Sequence, residues 1–103
     1  MKLNLKYVEG KWFDFKEAKV KIKMFPNSKV LSLNMEELSF EDLSIILNEC
    51  VVDWKGFVDE DGKEIKCNNK NKKLMVDVYM DLVNFVIEKQ NEMREQFDKS
   101  LKN

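Results

Sequence analysis

The acidic residues Asp59, Asp61 and Glu64 have the spacing in this sequence that most resembles a metal-binding loop. Together with Gly62 they form the pattern D-x-D-G-x-E, and calcium loops combine alternating acids with a glycine in a similar way. The second half of a calcium loop and its flanking helices are missing here. We therefore predict no metal site and interpret these residues as a solvated hairpin turn, because Asp-Gly pairs accept positive φ angles.

Catalytic machinery is not apparent in the sequence. It contains no histidine, no serine or cysteine in a nucleophile motif and no glycine-rich phosphate loop. Two pairs of neighbouring carboxylates, Glu36/Glu37 and Glu41/Asp42, are candidates for acid–base chemistry. Neighbouring residues of a helix do not face each other, so both pairs are expected to be solvated. We predict neither an enzyme nor a cofactor-binding protein.

The two cysteines, Cys50 and Cys67, are too few to close a tetrahedral zinc site without other ligands. There is no CxxC motif, and we expect two free thiols in a reducing compartment. The first ten residues, MKLNLKYVEG, lack the continuous apolar run of a signal peptide. No stretch approaches the ~20 apolar residues of a membrane span. These features predict a cytoplasmic protein.

The length of 103 residues, of which 44% are hydrophobic and 36% charged, predicts one domain spanning 1–103. The net charge of −1 hides a segregation of charge. Residues 1–33 carry eight lysines and three acids, residues 34–64 two lysines and ten acids, and residues 65–103 eight basic and six acidic residues. Such segregation favours self-association or partners of both signs, unless the segments fold side by side and their charges mix.

The first third of the chain, residues 1–33, is predicted to be mostly strands. Apolar and polar residues alternate there with the period of a half-buried sheet. The alternating apolar residues are Leu3, Leu5 and Tyr7, then Trp12 to Phe15, then Val20, Ile22 and Met24. A turn at Phe25–Ser28 and a short extended piece at Val30–Leu33 complete this region.

A second interpretation of this region is a nucleic-acid-binding face. Lysines beside aromatic residues on a sheet are typical of single-strand binders. The residues concerned are Lys16, Lys19, Lys21, Lys23 and Lys29 with Trp12, Phe13 and Phe15. The negative net charge and the single arginine argue against this interpretation, which makes nucleic acid an unlikely partner.

The middle of the chain predicts a helix over 39–50. Ser39 is followed three residues later by Asp42, which is the spacing of a capping box. The residues expected on its buried face are Phe40, Leu43, Leu47 and Cys50, with Ile46 beside them.

Residues 51–67 then predict a β-hairpin that turns at Asp59–Gly62. Asp53, Gly56 and Gly62 are expected to shape this hairpin, and Trp54 to anchor it on the core.

The segment 72–99 has apolar residues at helical spacing and predicts a helical tail. It forms either one helix or two helices that break near Met80–Asp81, with Asp81 capping the second. The fold class is therefore α+β: a small N-terminal antiparallel sheet, a central helix, a β-hairpin and a C-terminal helical segment.

The order of these elements resembles the small tail assembly chaperones of long-tailed bacteriophages. Those proteins often combine a hydrophobic-Asp-Trp-Lys/Asn-Gly segment, an Asp-x-x-Gly-Lys turn, a Thr/Asn-rich stretch and a closing helix. The resemblance covers residues 40–90. The matching residues are Val52, Asp53, Trp54, Lys55, Gly56, Asp59, Gly62, Lys63, Asn71, Leu82 and Val83. Met80 departs from the family's usual proline, and the stretch NNKNKK is more basic than in the family.

The resemblance implies a non-enzymatic protein that binds the tape measure protein and the tail tube protein during tail assembly. Such chaperones leave before the virion is complete, and this chain corresponds to a short form that is often accompanied by a frameshifted long form. Two alternatives stay open: another small phage structural protein of the head–tail connector type, and a small nucleic-acid-binding domain.

The residues expected to contact a partner are apolar residues at exposed edges, because methionine and aromatic side chains suit adaptable binding surfaces. The chain has six methionines and eleven aromatic residues, most of which are expected to fill the core. For partner contact we predict Trp12, Phe57, Met80 and Phe97.

Overall fold

A three-stranded antiparallel sheet packs its inner face against helices. The computed structural model describes residues 1–30, 33 and 36–101. Its elements, in chain order, are α1 (Lys6–Glu9), β1 (Lys11–Phe15), β2 (Ala18–Ile22), α2 (Asn27–Val30), α3 (Phe40–Cys50), β3 (Val51–Lys55), α4 (Asn69–Val78) and α5 (Met80–Ser100). The predicted α+β class is confirmed.

The strands lie in the order β1-β2-β3. β1 and β2 form a tight hairpin in which Phe13 pairs with Val20 and Phe15 with Ala18. β2 also pairs with β3, with Val20 opposite Trp54, and the register shifts between Lys21 and Ile22. The alternation predicted for β2 is confirmed, since Val20 and Ile22 are fully buried. The hydrophobic effect therefore assigns one face of the sheet to the core.

The hairpin predicted over 51–67 is smaller than expected. The first run, β3, takes β2 as its partner instead of the run that follows the turn. After β3 the chain makes only one bridge, between Val58 and Glu64. Two backbone hydrogen bonds of 2.8 Å flank this bridge, from Asp59 N–H to the Lys63 carbonyl and from Ile65 N–H to the Phe57 carbonyl. We call residues 56–66 the turn segment.

The strand predicted at Leu3, Leu5 and Tyr7 is absent, and a single helical turn, α1, lies there instead. The Tyr7 carbonyl accepts a 2.8 Å hydrogen bond from Met24 N–H, which ties this turn to the chain just after β2. Val30 ends α2 rather than starting an extended piece, and residues 31 and 32 of that prediction lie outside the described part of the chain.

Helix α3 begins as predicted. The Ser39 side chain accepts from Asp42 N–H at 3.2 Å, and the Asp42 carboxylate accepts from Ser39 N–H at 3.0 Å. This reciprocal pair satisfies two backbone donors that a helix start leaves free. Phe40, expected on the buried face, is instead exposed, because it lies in the first turn before the helix reaches the core.

The tail is two helices, α4 and α5, which meet at Tyr79. Tyr79 adopts a non-helical ψ of 76°, and its N–H still bonds to the Met75 carbonyl at 2.8 Å. Asp81 does not cap the second helix as predicted, since it lies within the first turn of α5. The negative charge of Asp81 still favours that position through the helix dipole.

The core lies between the inner sheet face and helices α3, α4 and α5. Its fully buried residues come from every layer and include Val20, Ile22, Leu47, Cys50, Val51, Val76, Leu82, Val83 and Val86. Because α5 also packs against β2, this one cluster joins the sheet to the helical tail.

Candidate partner-binding surfaces

Trp54 anchors the start of the turn segment. Only 2% of this residue is exposed, and its indole Nε1–H donates a hydrogen bond of 2.6 Å to the Ile65 carbonyl. Its ring also meets Phe57 edge-on, with 5.3 Å between the ring centroids. The indole therefore joins β3 to the far end of the turn segment, which agrees with the predicted anchoring role.

Asp59 organises the turn itself. Its Oδ1 accepts hydrogen bonds of 2.9 Å from the backbone N–H groups of Asp61 and Lys63. Gly62 completes the turn at φ 79°, in the left-handed region that favours glycine. Within the described residues no group of three or more acids and cysteines can hold a metal ion. Among the acids of this segment, Asp59 is the one whose side chain accepts hydrogen bonds from the backbone of the turn.

Gly56 permits a close approach between β3 and the β1–β2 hairpin. Its φ is 94°, and a Cβ added there would lie 3.0 Å from the Ala18 Cα. Asp53 contributes locally, since its Oδ1 accepts from Trp54 N–H at 2.8 Å. The five residues predicted to shape and anchor the hairpin thus lie in one continuous structural unit.

An aromatic groove opens where this unit meets the tip of the β1–β2 hairpin. It has a volume of about 260 Å³ and is lined by Phe15, Lys16, Glu17, Ala18, Gly56, Phe57 and Tyr79. Phe15 meets Tyr79 at 5.6 Å and Phe57 at 6.3 Å between ring centroids. The groove is therefore bounded by aromatic rings, which suit the apolar side chains of a partner.

Lys16 stands over this aromatic groove. Its φ of 54° is the one positive φ found outside glycine in the described residues, and this conformation costs an L-residue about 1 kcal/mol. Its Nζ lies 5.5 Å from the Phe15 ring centroid, 5.4 Å from that of Tyr79 and 3.4 Å from Asp81 Oδ2. Interaction with Tyr79, followed by Asp81, raises the pKa of Lys16. A cation is thus held at the groove mouth.

The four predicted contact residues lie in three separate places. Phe57 is half-buried in the aromatic groove, and the exposed Met80 directly follows Tyr79, which lines it. Trp12 lies on the outer face of the sheet. Phe97 lines a different hollow of about 310 Å³ beside Phe25 and Pro26. Of the four residues, only Phe57 therefore lines the aromatic groove.

The residues of the nucleic-acid interpretation are divided between two faces of the sheet. Lys19 and Lys21 pair with Asp14 and Trp12 of β1 on the outer face. Phe15 is buried on the opposite face. A carboxylate also accompanies these lysines, with Asp14 Oδ1 3.9 Å from Lys19 Nζ. Trp12 thus shares the outer face with Lys19 and Lys21, whereas Lys16 lies over the ring of Phe15.

Several exposed apolar residues were not predicted from the sequence, and three of them lie on the turn segment and α4. Val58 is 55% exposed, Leu74 46% and Val78 68%. Val58 and Leu74 line a larger groove, of about 880 Å³, between the turn segment and α4. Leu74 and Val78 are one helical turn apart and share a face of α4, but this spacing alone does not tell an exposed helix face from a buried one.

The cysteines are both free. Burial raises the pKa of Cys50 to about 12, and burial also raises the pKa of the half-buried Cys67. Since the thiolate is the nucleophile, neither environment promotes cysteine chemistry at neutral pH.

Helices long and apolar enough to cross a membrane are absent from the described residues. Comparison of the chain with protein-family models, with curated proteins and with solved structures finds no match.

Proposed function

We propose that this chain is a tail assembly chaperone of a long-tailed phage or prophage. It acts in the bacterial cytoplasm, binds the tape measure protein and the tail tube protein without chemistry, and is absent from the mature virion. The resemblance over residues 40–90 supports the proposal, and its most specific residues, from Val52 to Lys63, surround the anchored turn.

The observation that carries the proposal is the aromatic groove beside that anchored turn. Phe57 of the turn segment and Tyr79 between the two tail helices form its walls. Lys16 is held at its mouth despite an unfavourable φ, and strained residues cluster at binding sites. A partner's apolar side chain that enters the groove exchanges contact with water for contact with aromatic rings, which stabilises the complex.

Co-expression with the tape measure protein encoded in the same genome tests the proposal. We expect the tape measure protein to become soluble and to co-elute with this chain in size-exclusion chromatography. If the tape measure protein stays insoluble while this chain elutes alone, the proposal that this chain binds it is wrong.

Substitutions of two predicted contact residues refine the test. Met80→Ser alters an exposed residue that directly follows Tyr79, and Phe97→Ser alters the separate hollow. We expect both variants to weaken client binding while they stay folded. Val52→Ser is the matched control, because Val52 is similarly exposed, at 41%, on β3. If both variants melt like the wild type and bind the client unchanged, the contact assignment fails.

The two alternative functions predict experimental results that differ from those of a chaperone. A connector-type structural protein would persist in purified phage particles, from which a chaperone is absent. A nucleic-acid-binding domain would bind oligonucleotides with an affinity that falls steeply as salt rises. The carboxylate of Asp14 beside Lys19 and the net charge of −1 favour the chaperone over the second alternative.

A further inference from the structure

The hollow lined by Phe97 lies between helix α5 and the chain that follows β2. Its volume of about 310 Å³ is at the small end of binding pockets and is enough for a single large side chain. Phe25 and Phe97 supply aromatic surface, and Lys23 and Arg94 supply two positive charges. No acidic residue is among the described residues that line it. We call it the basic hollow.

Arg94 is held in position by the aromatic residues of the basic hollow. Its guanidinium donates a hydrogen bond of 3.0 Å to the Phe25 carbonyl, and its Cζ lies 6.0 Å from the centroid of the Phe97 ring. A guanidinium has five N–H donors, and this is the one hydrogen bond that the Arg94 side chain makes within the described residues. Neither Arg94 nor Lys23 forms an ion pair with a described carboxylate. Both cations are therefore available to an anionic group.

Phe40 is an aromatic side chain that the fold leaves in water. It is the first residue of α3 and is 60% exposed. The adjacent Glu41 is also exposed, and its carboxylate has no ion pair or hydrogen bond in the described part of the chain. Residues 36–54 contain six acids and neither lysine nor arginine. The start of α3 therefore presents an aromatic ring in an acidic part of the sequence.

Charge distinguishes Phe40 from Trp12, the other exposed aromatic residue among those that the structure describes. The Trp12 ring lies 5.0 Å from the Lys55 ammonium, and Trp12 pairs with Lys21 across the sheet. A hollow that carries two cations repels the lysines around Trp12 and attracts the acid beside Phe40. Phe40 is thus the exposed ring of this chain whose surroundings match the basic hollow.

We infer that Phe40 of one copy of this chain enters the basic hollow of a second copy. The ring of Phe40 exchanges contact with water for contact with Phe25 and Phe97. The carboxylate of Glu41 then faces the cations of the hollow. In a two-fold dimer this contact is made twice. The inference concerns this chain alone and goes beyond the proposed function.

The expected association is weak. A contact built on one ring and one carboxylate buries less surface than the ~1,200–2,000 Å² of a stable interface. We therefore expect a dissociation constant of roughly 100 µM. At lower concentrations the copies separate and the basic hollow is open, so the contact that we propose between Phe97 and the tape measure protein is compatible with this inference.

Sedimentation equilibrium of the purified chain, from ~10 µM to ~1 mM, tests the inference. We expect the mean mass of the wild type to rise with concentration. Phe40→Ser should weaken the association about tenfold, because it removes the aromatic anchor. Ile45→Ser is the matched control, since Ile45 is 39% exposed on the same helix, and it should associate like the wild type. Circular dichroism checks that both variants are folded.

Reversal of charge tests which surfaces meet. Lys23→Glu and Glu41→Lys should each weaken the association, because each removes an attraction between the two copies. The double variant Lys23→Glu/Glu41→Lys places opposite charges together again, with their positions exchanged. It should therefore associate more tightly than either single variant.

Three results of these measurements overturn the inference. The first is a wild type that stays monomeric at the highest concentration. The second is an equal effect of Phe40→Ser and Ile45→Ser. The third is a double charge variant that associates no more tightly than the single variants, since Glu41 then does not meet the basic hollow.

The co-expression assay separates this inference from the proposed function. If the wild type associates and the charge reversal behaves as expected while the tape measure protein stays insoluble, the inference stands and the chaperone proposal is wrong. If Phe97→Ser weakens binding of the tape measure protein while the wild-type chain alone stays monomeric, the chaperone proposal stands and this inference is wrong.

Discussion

Each face of the sheet carries one tryptophan, and the two tryptophans differ in exposure and in what they contact. Trp54 on the inner face is 2% exposed, whereas Trp12 on the outer face is 38% exposed. The indole of Trp54 donates a hydrogen bond to the Ile65 carbonyl, while the ring of Trp12 lies 5.0 Å from the Lys55 ammonium. Position in the fold, rather than residue type, separates the structural tryptophan from the one available to a partner.

The inner face joins the sheet to the turn segment and α5, whereas Trp12 and Asp14 on the outer face contact lysines of the other strands. Trp54 connects β3 to the turn segment, and Phe15 meets Phe85 of α5 with 4.9 Å between ring centroids. Substitutions on the inner face should therefore alter both stability and the grooves, whereas those on the outer face should alter neither.

The largest expected difference in stability is between alanine substitutions of Trp54 and Trp12. Trp54→Ala should lower the free energy of unfolding by about 3–5 kcal/mol, because it leaves a cavity and an unpaired Ile65 carbonyl. Trp12→Ala should cost less than about 1 kcal/mol, because the ring is partly in water already. Urea denaturation monitored by circular dichroism measures both. Equal losses would contradict the contrast between the two faces.

Alanine substitutions of Gly56 and Gly62 should also differ in their effect on stability, but by less than those of the two tryptophans. Gly56→Ala should cost about 2–3 kcal/mol, since it adds both an unfavourable φ of 94° and a contact with the Ala18 backbone. Gly62→Ala should cost only about 1 kcal/mol, because its φ is 79° but nothing lies within 4 Å of the added Cβ. Thermal melting compares the variants, and a larger loss from Gly62→Ala would be the contrary result.

The cysteine pair predicts a pH dependence. Burial raises the pKa of Cys50 from 9.0 to about 12 in the folded state. The thiol of the unfolded chain therefore ionises at a lower pH than the buried thiol of the folded chain. The stability that depends on a neutral Cys50 is fully present below pH 9 and is lost as pH rises towards 12. The advantage of wild type over Cys50→Ala should narrow by about 1.4 kcal/mol between pH 8 and pH 10.

The matched control for this experiment is Cys67→Ala, since Cys67 is only half-buried. Its difference from wild type should change less over the same pH interval. An advantage of wild type that stays constant from pH 8 to pH 10 for Cys50→Ala would refute the burial argument.

Local signals in the sequence predicted local structure. Ser39 and Asp42 define the start of α3 because a capping box needs only four consecutive residues. β2 was predicted because its alternation reflects one buried and one solvated face. The Asp-Gly turn was predicted because left-handed geometry demands particular residues.

The strand pairing between distant segments was not predicted from the sequence. β3 takes β2 as its partner, some thirty positions earlier, and nothing in the 51–55 pattern distinguishes that strand from the run after the turn. The N-terminal alternation around Leu3 and Leu5 failed because so short a pattern also fits a single helical turn. Both errors arise where tertiary contacts override a weak local preference.

The candidate surfaces were predicted only in part. Phe57 was singled out and lines the aromatic groove, but its lining residues Tyr79 and Lys16 were not associated with it. Leu74 has the helical spacing of a core residue, and spacing alone does not tell an uncovered helix face from a buried one. The larger groove is formed only when the turn segment and α4 lie side by side, which the sequence does not reveal.

Hydrogen–deuterium exchange of this chain, free and in its co-purified complex with the tape measure protein, tests the central claim most directly. Backbone amides exchange more slowly where binding suppresses local opening. We predict slower exchange in residues 56–66 and 74–80, which border the two grooves, and unchanged exchange in residues 19–21 of β2. Slower exchange confined to the sheet, with none in the turn segment or α4, would contradict the account.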